Sequence, residues 1–175
     1  MTVDVRPVRP AEHAEAGRVT RAAFAALYAD GGRDDYLDAA ADVAGRAGRT
    51  TVLVAVEDGR ILGSITVELE TKVDADRQLE PGEAHLRLLG VAPEAQGRGV
   101  GRRLMEAAAA LARAAGKRRL TLGTMPENTA ARHLYERLGY LSRGRVEFAP
   151  GRWAVAYELP LDKPVAGSST AEAPG

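Results

Sequence analysis

Gln96-Gly97-Arg98-Gly99-Val100-Gly101 is a glycine-rich stretch that lies where a strand is expected to pass into a helix, between an apolar run (85–91) and an alanine-rich run (102–115). The first amides of a helix lack intrahelical acceptors and carry the positive end of the helix dipole. Glycines leave such amides open to an anionic ligand, and Arg98 and Arg102 add positive charge beside them. The stretch therefore predicts a phosphate-binding turn.

Two better-known glycine motifs do not fit this turn. The dinucleotide-binding pattern G-x-G-x-x-G would need its third glycine where Arg102 stands. The phosphate loop of nucleotide hydrolases ends in Gly-Lys-Ser or Gly-Lys-Thr, which this stretch lacks. A Gly-x-Gly-x-Gly pattern by itself also leaves open a structural role, since glycines cap helices and build turns.

Composition limits the classes of protein to which the chain can belong. With 175 residues, 45% of them hydrophobic, it is long enough for one well-buried core and too short for two. Lys+Arg and Asp+Glu number 24 each, which gives no reason to expect a nucleic-acid or membrane partner. The chain has no cysteine, which excludes a disulfide scaffold, a thiol nucleophile and a cysteine-ligated metal.

The two ends of the chain lead to predictions of location and domain limits. The first residues lack the apolar segment of a signal peptide, and no run approaches the roughly 20 apolar residues of a membrane span. We therefore expect a cytoplasmic protein with a single domain over residues 1–161. Residues 162–175 are rich in Gly, Ser, Thr, Ala and Pro and are predicted to form a disordered tail.

Hydrophobic periodicity predicts an α/β chain in which strands and helices are mixed. Asp58-Gly59, between two β-rich runs, predicts a hairpin turn, and 72–82 is expected to be a surface loop. Residues 34–47 are predicted to form one helix that buries its alanines, including Ala41 and Ala44. Strands are expected at 3–6, 51–56, 61–69, 84–91, 120–124, 145–148 and 153–159, and helices at 11–28, 34–47, 102–115 and 129–138.

Two motifs at a fixed separation resemble those of the GCN5-related N-acetyltransferase (GNAT) family. The first is Q-x-x-G-x-G, which begins at Gln96, and the second is N-x-x-A-x-x-L-Y-x-x-L-G-Y, which begins at Asn128. The resemblance is strongest over 84–140. It implies the GNAT acyl-CoA N-acyltransferase fold, a mixed, mostly antiparallel sheet with helices on both faces.

The resemblance also implies a set of residues that bind acetyl-CoA as a cosubstrate. The main chain of Leu89, Gly90 and Val91 would pair with the pantetheine arm, and Asn128 would contact it. Tyr135 would both contact the cosubstrate and act as the general acid for the thiolate. The diphosphate would be held by Gln96, Gly97, Arg98, Gly99, Val100, Gly101 and Arg102. The alternatives are that Asn128 only caps its helix and that Tyr135 only packs its ring against the sheet.

The general base is less well defined by the sequence. Glu83 and His85 lead into the strand before the glycine turn, and an imidazole ordinarily titrates near neutral pH. Arg87 shares a strand face with His85 by the two-residue repeat, so it can bind an acidic acceptor. An exposed histidine on a polar strand face is an equally good interpretation of His85. No metal ion is expected to take part.

The function predicted from the resemblance is N-acetyl transfer. The acetyl group would move from acetyl-CoA to the primary amine of a small molecule, or to a peptide N-terminus, by direct attack in a ternary complex. A non-catalytic acyl-CoA-binding module and a nucleotide-phosphate binder are the alternatives. The identity of the amine remains open, and a homodimer is possible because members of the family often pair through their C-terminal strands.

Overall fold

The computed structural model describes residues 2–29, 33–70, 72–74 and 77–162. The strands are β1 (Asp4–Pro7), β2 (Thr51–Glu57), β3 (Arg60–Glu68), β4 (Lys72–Asp74), β5 (Arg77–Gln78), β6 (Glu83–Val91), β7 (Arg119–Thr124), β8 (Leu141–Ala149) and β9 (Arg152–Pro160). The α-helices are α1 (His13–Ala25), α2 (Asp34–Ala41), α3 (Val43–Ala47), α4 (Val100–Ala114) and α5 (Thr129–Arg137). The predicted tail lies outside the described residues, apart from Asp162. Residues 30–32, an Asp-Gly-Gly stretch whose sequence predicts the end of the helix expected over 11–28, also lie outside them.

Seven of these strands form one sheet in the order β1-β2-β3-β6-β7-β9-β8. Every neighbouring pair is antiparallel except β6 and β7, which run parallel. Helices α1 and α3 pack on one face through Ala16, Val43 and Val54, and α4 packs on the other through Leu104 and Met105. This arrangement confirms the predicted mixed sheet with helices on both faces.

The hairpin between β2 and β3 forms as its sequence predicts. Asp58 and Gly59 have φ angles of 49° and 77°, so both central residues are left-handed, as a type I′ turn requires. None of the helices in the described ranges is both long enough and apolar enough to cross a membrane.

Two predicted segments differ from the structure. The helix expected over 34–47 is broken at Asp42, whose φ and ψ of −76° and 71° are not helical and whose carboxylate accepts a hydrogen bond from the amide of Gly45 (2.9 Å). Because the break changes the phase of the second helix, Val43 and Arg46 are buried, whereas Ala44 is exposed and Ala41 is only half-buried. The loop expected at 72–82 contains β4 and β5, which pair as a short hairpin.

Strand β6 changes its course at Leu88. This residue has a φ of 54°, although it is not glycine. Arg87 pairs with Thr66, but Gly90 pairs with Ser64, so β6 has one residue more than β3 between the two pairs. The extra residue makes a β-bulge, a feature that bends a strand and is often found beside functional sites. The bulge begins at Leu88, two residues after Leu86, which is the last residue of β6 that pairs with β7.

Candidate active site

A notch opens in the middle of the sheet, where the two parallel strands separate. Pairing between β6 and β7 runs from Glu83 and Arg119 to Leu86 and Leu122, and no pair is formed beyond that point along the described strands. The later residues of β6 therefore have a main-chain edge that faces away from β3 and is not paired with β7. A cavity of about 50 Å³ lies at the notch, and its lining includes Leu88, Leu122 and Tyr135.

The glycine turn follows β6 in the chain. The first helical amides of α4, at Val100, Gly101 and Arg102, have no hydrogen-bond acceptor among the described residues, and the first helical bond there is from Arg103 to the carbonyl of Gly99 (3.1 Å). Gly99 has a left-handed φ of 78°, and a Cβ atom placed there would meet no atom within 4 Å. The turn thus offers open amides at a helix N-terminus, which is the chemistry that an anion requires.

The two arginines of the turn are engaged by carboxylates. Arg98 donates to both oxygens of Glu57, on the β2–β3 hairpin, at 2.7 and 2.9 Å. Arg102 donates to Glu106, one turn further along α4, at 2.8 Å. The positive charge predicted beside the turn is therefore largely neutralised. Both guanidiniums are well exposed, however, although Glu57 itself is largely buried. Ion pairs that water reaches contribute little, so a phosphate can compete for either guanidinium.

Tyr135 lies beneath the notch on α5, within a group of three tyrosines. Its ring centroid is 6.0 Å from that of Tyr140 and 5.7 Å from that of Tyr157. Burial, followed by the nearby Tyr157, raises the pKa of Tyr135 well above its usual value. The phenol is therefore protonated throughout the neutral range and can donate a proton. Tyr135 lines the small cavity, whereas the buried hydroxyl of Tyr140 has no hydrogen-bond partner in the described part of the chain.

Asn128 caps the helix that carries Tyr135. Its side-chain oxygen accepts a hydrogen bond from the amide of Ala131 at 3.3 Å, which satisfies one of the first amides of α5. The structural role predicted for Asn128 is confirmed. The cap also fixes the start of α5, so it helps to set the position of Tyr135 less than two helical turns later.

A wide cleft lies on the other face of the sheet, beside α2. It has a volume of about 750 Å³, and its walls come from the segment before α2, from β6 and β7, and from the β8–β9 hairpin. Leu86, Arg87, Leu88, Leu122 and Gly123 line both this cleft and the small cavity above Tyr135. The notch therefore connects the two faces of the sheet, with Tyr135 on one side and the cleft on the other.

Three polar side chains form a hydrogen-bonded chain along the wall of the cleft. Thr121 on β7 donates its hydroxyl proton to Glu83 (2.6 Å), and His85 Nδ1 lies 2.7 Å from the same hydroxyl oxygen. Since the Thr121 proton points to Glu83, Nδ1 must carry the proton that it shares with Thr121, and the lone pair of a neutral imidazole is then on Nε2. The two predicted base candidates thus belong to one relay.

Glu83 accepts from three donors within the described residues. Besides Thr121, these are Arg119 (3.3 Å) and the amide of Glu80 (3.0 Å). Both oxygens of this carboxylate are therefore engaged, which suits a group that orients a partner. His85 is therefore the stronger candidate for the base, and Glu83 for the group that orients it. In the described ranges, no three His, Asp or Glu side chains come together as a metal site.

The sequence did not identify two residues of the site. Thr121 joins His85 to Glu83, but a threonine in a β-strand is so common that it carries no functional signal. Leu88 forms the bulge at the notch, but a leucine in a sequence does not predict a left-handed backbone conformation. Only the pairing register between β6 and β7 identifies Thr121, because it places Thr121 opposite His85 on the neighbouring parallel strand.

Comparison with known proteins agrees with this geometry of an open strand edge, a helix N-terminus and a buried phenol. The model of the acetyltransferase (GNAT) family matches residues 18–140. Such a match covers most of the chain, so the chain belongs to the GNAT family of acetyltransferases. The resemblance inferred from the two motifs is confirmed.

Curated relatives include mycothiol acetyltransferases. That of Cellulomonas flavigena is 34% identical over 132 residues, which is 74% of this chain and 34% of the relative. That of Nocardia farcinica is 36% identical over 151 residues, or 85% of this chain and 45% of the relative. The chain thus spans between a third and a half of the length of these relatives.

Solved structures share the fold over nearly the whole chain. A putative acetyltransferase from Salmonella typhimurium, solved with acetyl-CoA, has a TM-score of 0.67 and 22% identity, and covers 95% of this chain and 98% of its own. A GNAT family acetyltransferase from Brucella melitensis, also in complex with acetyl-CoA, has a TM-score of 0.60 and 28% identity, with coverages of 91% and 88%.

Proposed function

We propose that this chain transfers an acetyl group from acetyl-CoA to a primary amine of a small molecule, or to a peptide N-terminus, by direct attack in a ternary complex. The observation that carries the proposal is the unpaired main-chain edge of β6 beyond Leu86, which leads straight to the open amides of α4. An extended ligand can add to such an edge as a further strand. Its diphosphate then reaches the helix N-terminus.

The donor site is built mainly from main-chain groups. Leu89, Gly90 and Val91 supply the strand edge for the pantetheine arm, and Asn128 borders the arm from the start of α5. A Cβ atom at Gly90 would lie 3.0 Å from that of Ala23, so glycine also lets α1 approach β6 closely. The diphosphate is assigned to Gln96, Gly97, Arg98, Gly99, Val100, Gly101 and Arg102.

The acceptor amine is activated from the cleft side of the sheet. A neutral amine attacks the thioester carbonyl and forms the new C–N bond, and the proton it loses is taken by His85 at Nε2. Glu83, acting through Thr121, holds the imidazole in the tautomer that can accept this proton. A backbone amide stabilises the negative charge that develops on the carbonyl oxygen.

The leaving thiolate is protonated from the α5 side. As the C–S bond breaks, the hydroxyl of Tyr135 donates its proton to the sulfur, and the phenolate is reprotonated from solvent after product release. Because the pKa of Tyr135 is raised, its hydroxyl is protonated at neutral pH. Placing the acid and the base on opposite faces of the sheet prevents a direct proton transfer between them that would bypass the substrates.

The proposal is tested by binding and turnover together. Purified protein is titrated with acetyl-CoA by calorimetry, with ATP and NAD as competitors, and is then assayed with a panel of amines by following the release of free thiol. We expect acetyl-CoA to bind and to raise the melting temperature of the protein. Neither ATP nor NAD should weaken this binding. Displacement by ATP or NAD would favour a nucleotide-phosphate binder, and binding without turnover of any amine would favour the non-catalytic module.

A single domain over residues 1–161 and a homodimer complete the proposal. Strand β8 is the last strand of the sheet, and every residue from Leu141 to Phe148 is exposed, including Val146. An exposed edge strand with apolar side chains is a surface on which a second copy can pair. Light scattering on the purified protein measures the mass of the species in solution, and a mass equal to one chain would contradict the homodimer.

A further inference from the structure

The cleft proposed to hold the acceptor is lined by an excess of arginines. Among the residues that the structure describes, its lining includes five arginines and two carboxylates. Arg119 donates to Glu83 and Arg143 donates to Glu158, each at 3.3 Å. Arg87 donates to the buried Glu68 at 3.2 Å, which leaves Arg33 and Arg152 as the other arginines of the lining.

Arg33 and Arg152 are held by aromatic rings rather than by carboxylates. The guanidinium carbon of Arg33 lies 5.0 Å from the ring centroid of Tyr28 and 4.9 Å from that of Tyr36. That of Arg152 lies 4.9 Å from the ring centroid of Phe148. Neither guanidinium has a carboxylate within 4.0 Å in the ranges that the structure describes. Because stacking uses only the face of a guanidinium, its N–H edge remains available for a bidentate hydrogen bond.

The two arginines approach the same space from opposite walls. Arg33 precedes α2, whereas Arg152 begins β9 at the tip of the β8–β9 hairpin. Burial and the neighbouring Tyr28 raise the pKa of Tyr36, and the charges of Arg87, Arg33 and Arg152 all oppose that rise. Three cations on different elements therefore lie close enough to one phenol to influence it. Such a convergence of positive charge in a cleft attracts an anion.

We propose that the acceptor is an amine that also carries an anionic group, a carboxylate or a phosphate, which Arg33 and Arg152 bind across the cleft. This inference rests on the proposed function, since it assumes that the amine lies next to the imidazole of His85. The anion is then held at the α2 and hairpin end, and the stretch between the two ends is lined by apolar side chains such as Leu79, Met125 and Val146. A free amino acid with an apolar side chain has this distribution of groups.

The test compares acceptors that differ only in the charged group. Thiol release is measured with L-phenylalanine, L-methionine, their primary amides, and an amine that carries a phosphate in place of the carboxylate. We expect kcat/KM for the preferred acid to exceed that for its amide by at least about tenfold, as loss of one charged hydrogen-bonded contact predicts. Preference for the phosphate or for the carboxylate then identifies the anion.

Variants assign the effect to the two arginines. Arg33→Gln with Arg152→Gln should raise KM for the acid about tenfold or more, while kcat, KM for the amide and the affinity for acetyl-CoA stay unchanged. Arg145→Gln is the matched control, because Arg145 also stacks on an aromatic ring of the same hairpin, 5.3 Å from the centroid of Trp153, but does not line the cleft. An enzyme that accepts acid and amide equally, or a double variant that loses both equally, overturns the inference.

Binding measurements with the reaction products test this inference independently of the proposed function. The CoA-bound protein is titrated by calorimetry with N-acetyl-phenylalanine and with its amide, neither of which needs to react. Tighter binding of the acid, lost in the double variant and kept in Arg145→Gln, supports the anion site even if no amine is turned over. Absence of turnover would then contradict only the proposed acetyl transfer. Equal binding of the acid and the amide contradicts the anion site whatever the turnover.

Discussion

The proposed donor site and the proposed acceptor cleft are built in different ways. Main-chain groups from one continuous stretch, 88–102, make most of the donor site as we propose it. The cleft is made by side chains from the segment before α2, from two parallel strands and from the C-terminal hairpin, such as Arg33, His85, Thr121 and Arg152. Because the first site depends on backbone shape and the second on particular side chains, substitutions should affect them differently. Removing one side chain should cost the donor site little and the catalytic groups much.

Tyr135→Phe should give the largest loss. It removes the proposed proton donor and keeps the ring, so we expect kcat to fall about 10²–10⁴-fold, the usual range for a general acid, with the affinity for acetyl-CoA unchanged. Steady-state kinetics and calorimetry measure the two quantities. Tyr140→Phe is the control, since it deletes a neighbouring buried hydroxyl that has no hydrogen-bond partner in the described residues and should leave both kcat and stability intact. Equal losses in the two variants would exclude Tyr135 as the acid.

The relay in the cleft should give the next largest effect. Thr121→Val breaks the link between His85 and Glu83, and we expect kcat to fall about 10-fold to 100-fold, the lower part of the range for acid–base catalysis. Thr121→Ser keeps the hydroxyl and should restore most of the activity. The pH dependence of kcat, measured for both variants, should change only in Thr121→Val. A valine variant with the profile of the wild type would show that Thr121 does not orient the imidazole.

The glycine turn should respond to backbone strain more than to loss of charge. Gly99→Ala places a Cβ atom at a φ of 78°, which costs about 1–2 kcal/mol and disfavours the backbone conformation that leaves the amides of α4 open. We expect the Kd for acetyl-CoA to rise about tenfold. Arg98→Gln should raise it less than about threefold, because the guanidinium is exposed and already paired with Glu57.

Gly116→Ala is the matched control for strain. Gly116 has a φ of 74° just after the C-terminal end of α4, far from the diphosphate, so its substitution should lower the melting temperature by a similar amount without changing the Kd. A larger effect from Arg98 than from Gly99 would contradict a donor site made mainly of main-chain groups.

The smallest effect is expected outside both sites. Arg6 donates hydrogen bonds to Glu12 at 2.6 and 2.9 Å, and this contact, with the amide of Arg9, lowers the pKa of Glu12 from 4.5 to about 2. A lowered pKa stabilises the fold at pH values above 4.5, and the contribution disappears as the pH falls through 2. Glu12→Gln should thus reduce the melting temperature slightly at pH 7 and not at pH 2, with kinetics unchanged. A change in kcat would show that α1 and the catalytic groups are coupled.

Local rules in the sequence predicted the elements that depend on a few neighbouring residues. The Asp58-Gly59 hairpin, the cap at Asn128 and the open helix start after Gly99 each follow from the conformations that these residue types prefer. The predicted single helix over 34–47 was wrong, because Asp42 bonds the amide of Gly45 and competes with the helix. Periodicity does not detect such a competition, since the apolar pattern continues through the break.

The acceptor cleft could not be predicted in the same way. Arg33 and Arg152 are 119 positions apart in the printed sequence and come to one cavity only through the fold. Thr121 and His85 meet because β6 and β7 run side by side in parallel, which no local pattern specifies. A site whose members lie on different elements becomes visible only when the register between those elements is known.

The bend at Leu88 divides β6 into two segments that different selective pressures can act on. Before the bend, the side chains of Glu83, His85 and Arg87 line the proposed acceptor cleft, whereas the backbone that follows Leu88 carries the proposed donor site. After the bend, the proposed ligand bonds only to amides and carbonyls, so side chains such as those of Leu89 and Val91 can change as long as the strand is preserved. In the proposed enzyme, the choice of amine can therefore change through side chains before Leu88, while the main-chain site for the acyl donor after Leu88 is kept.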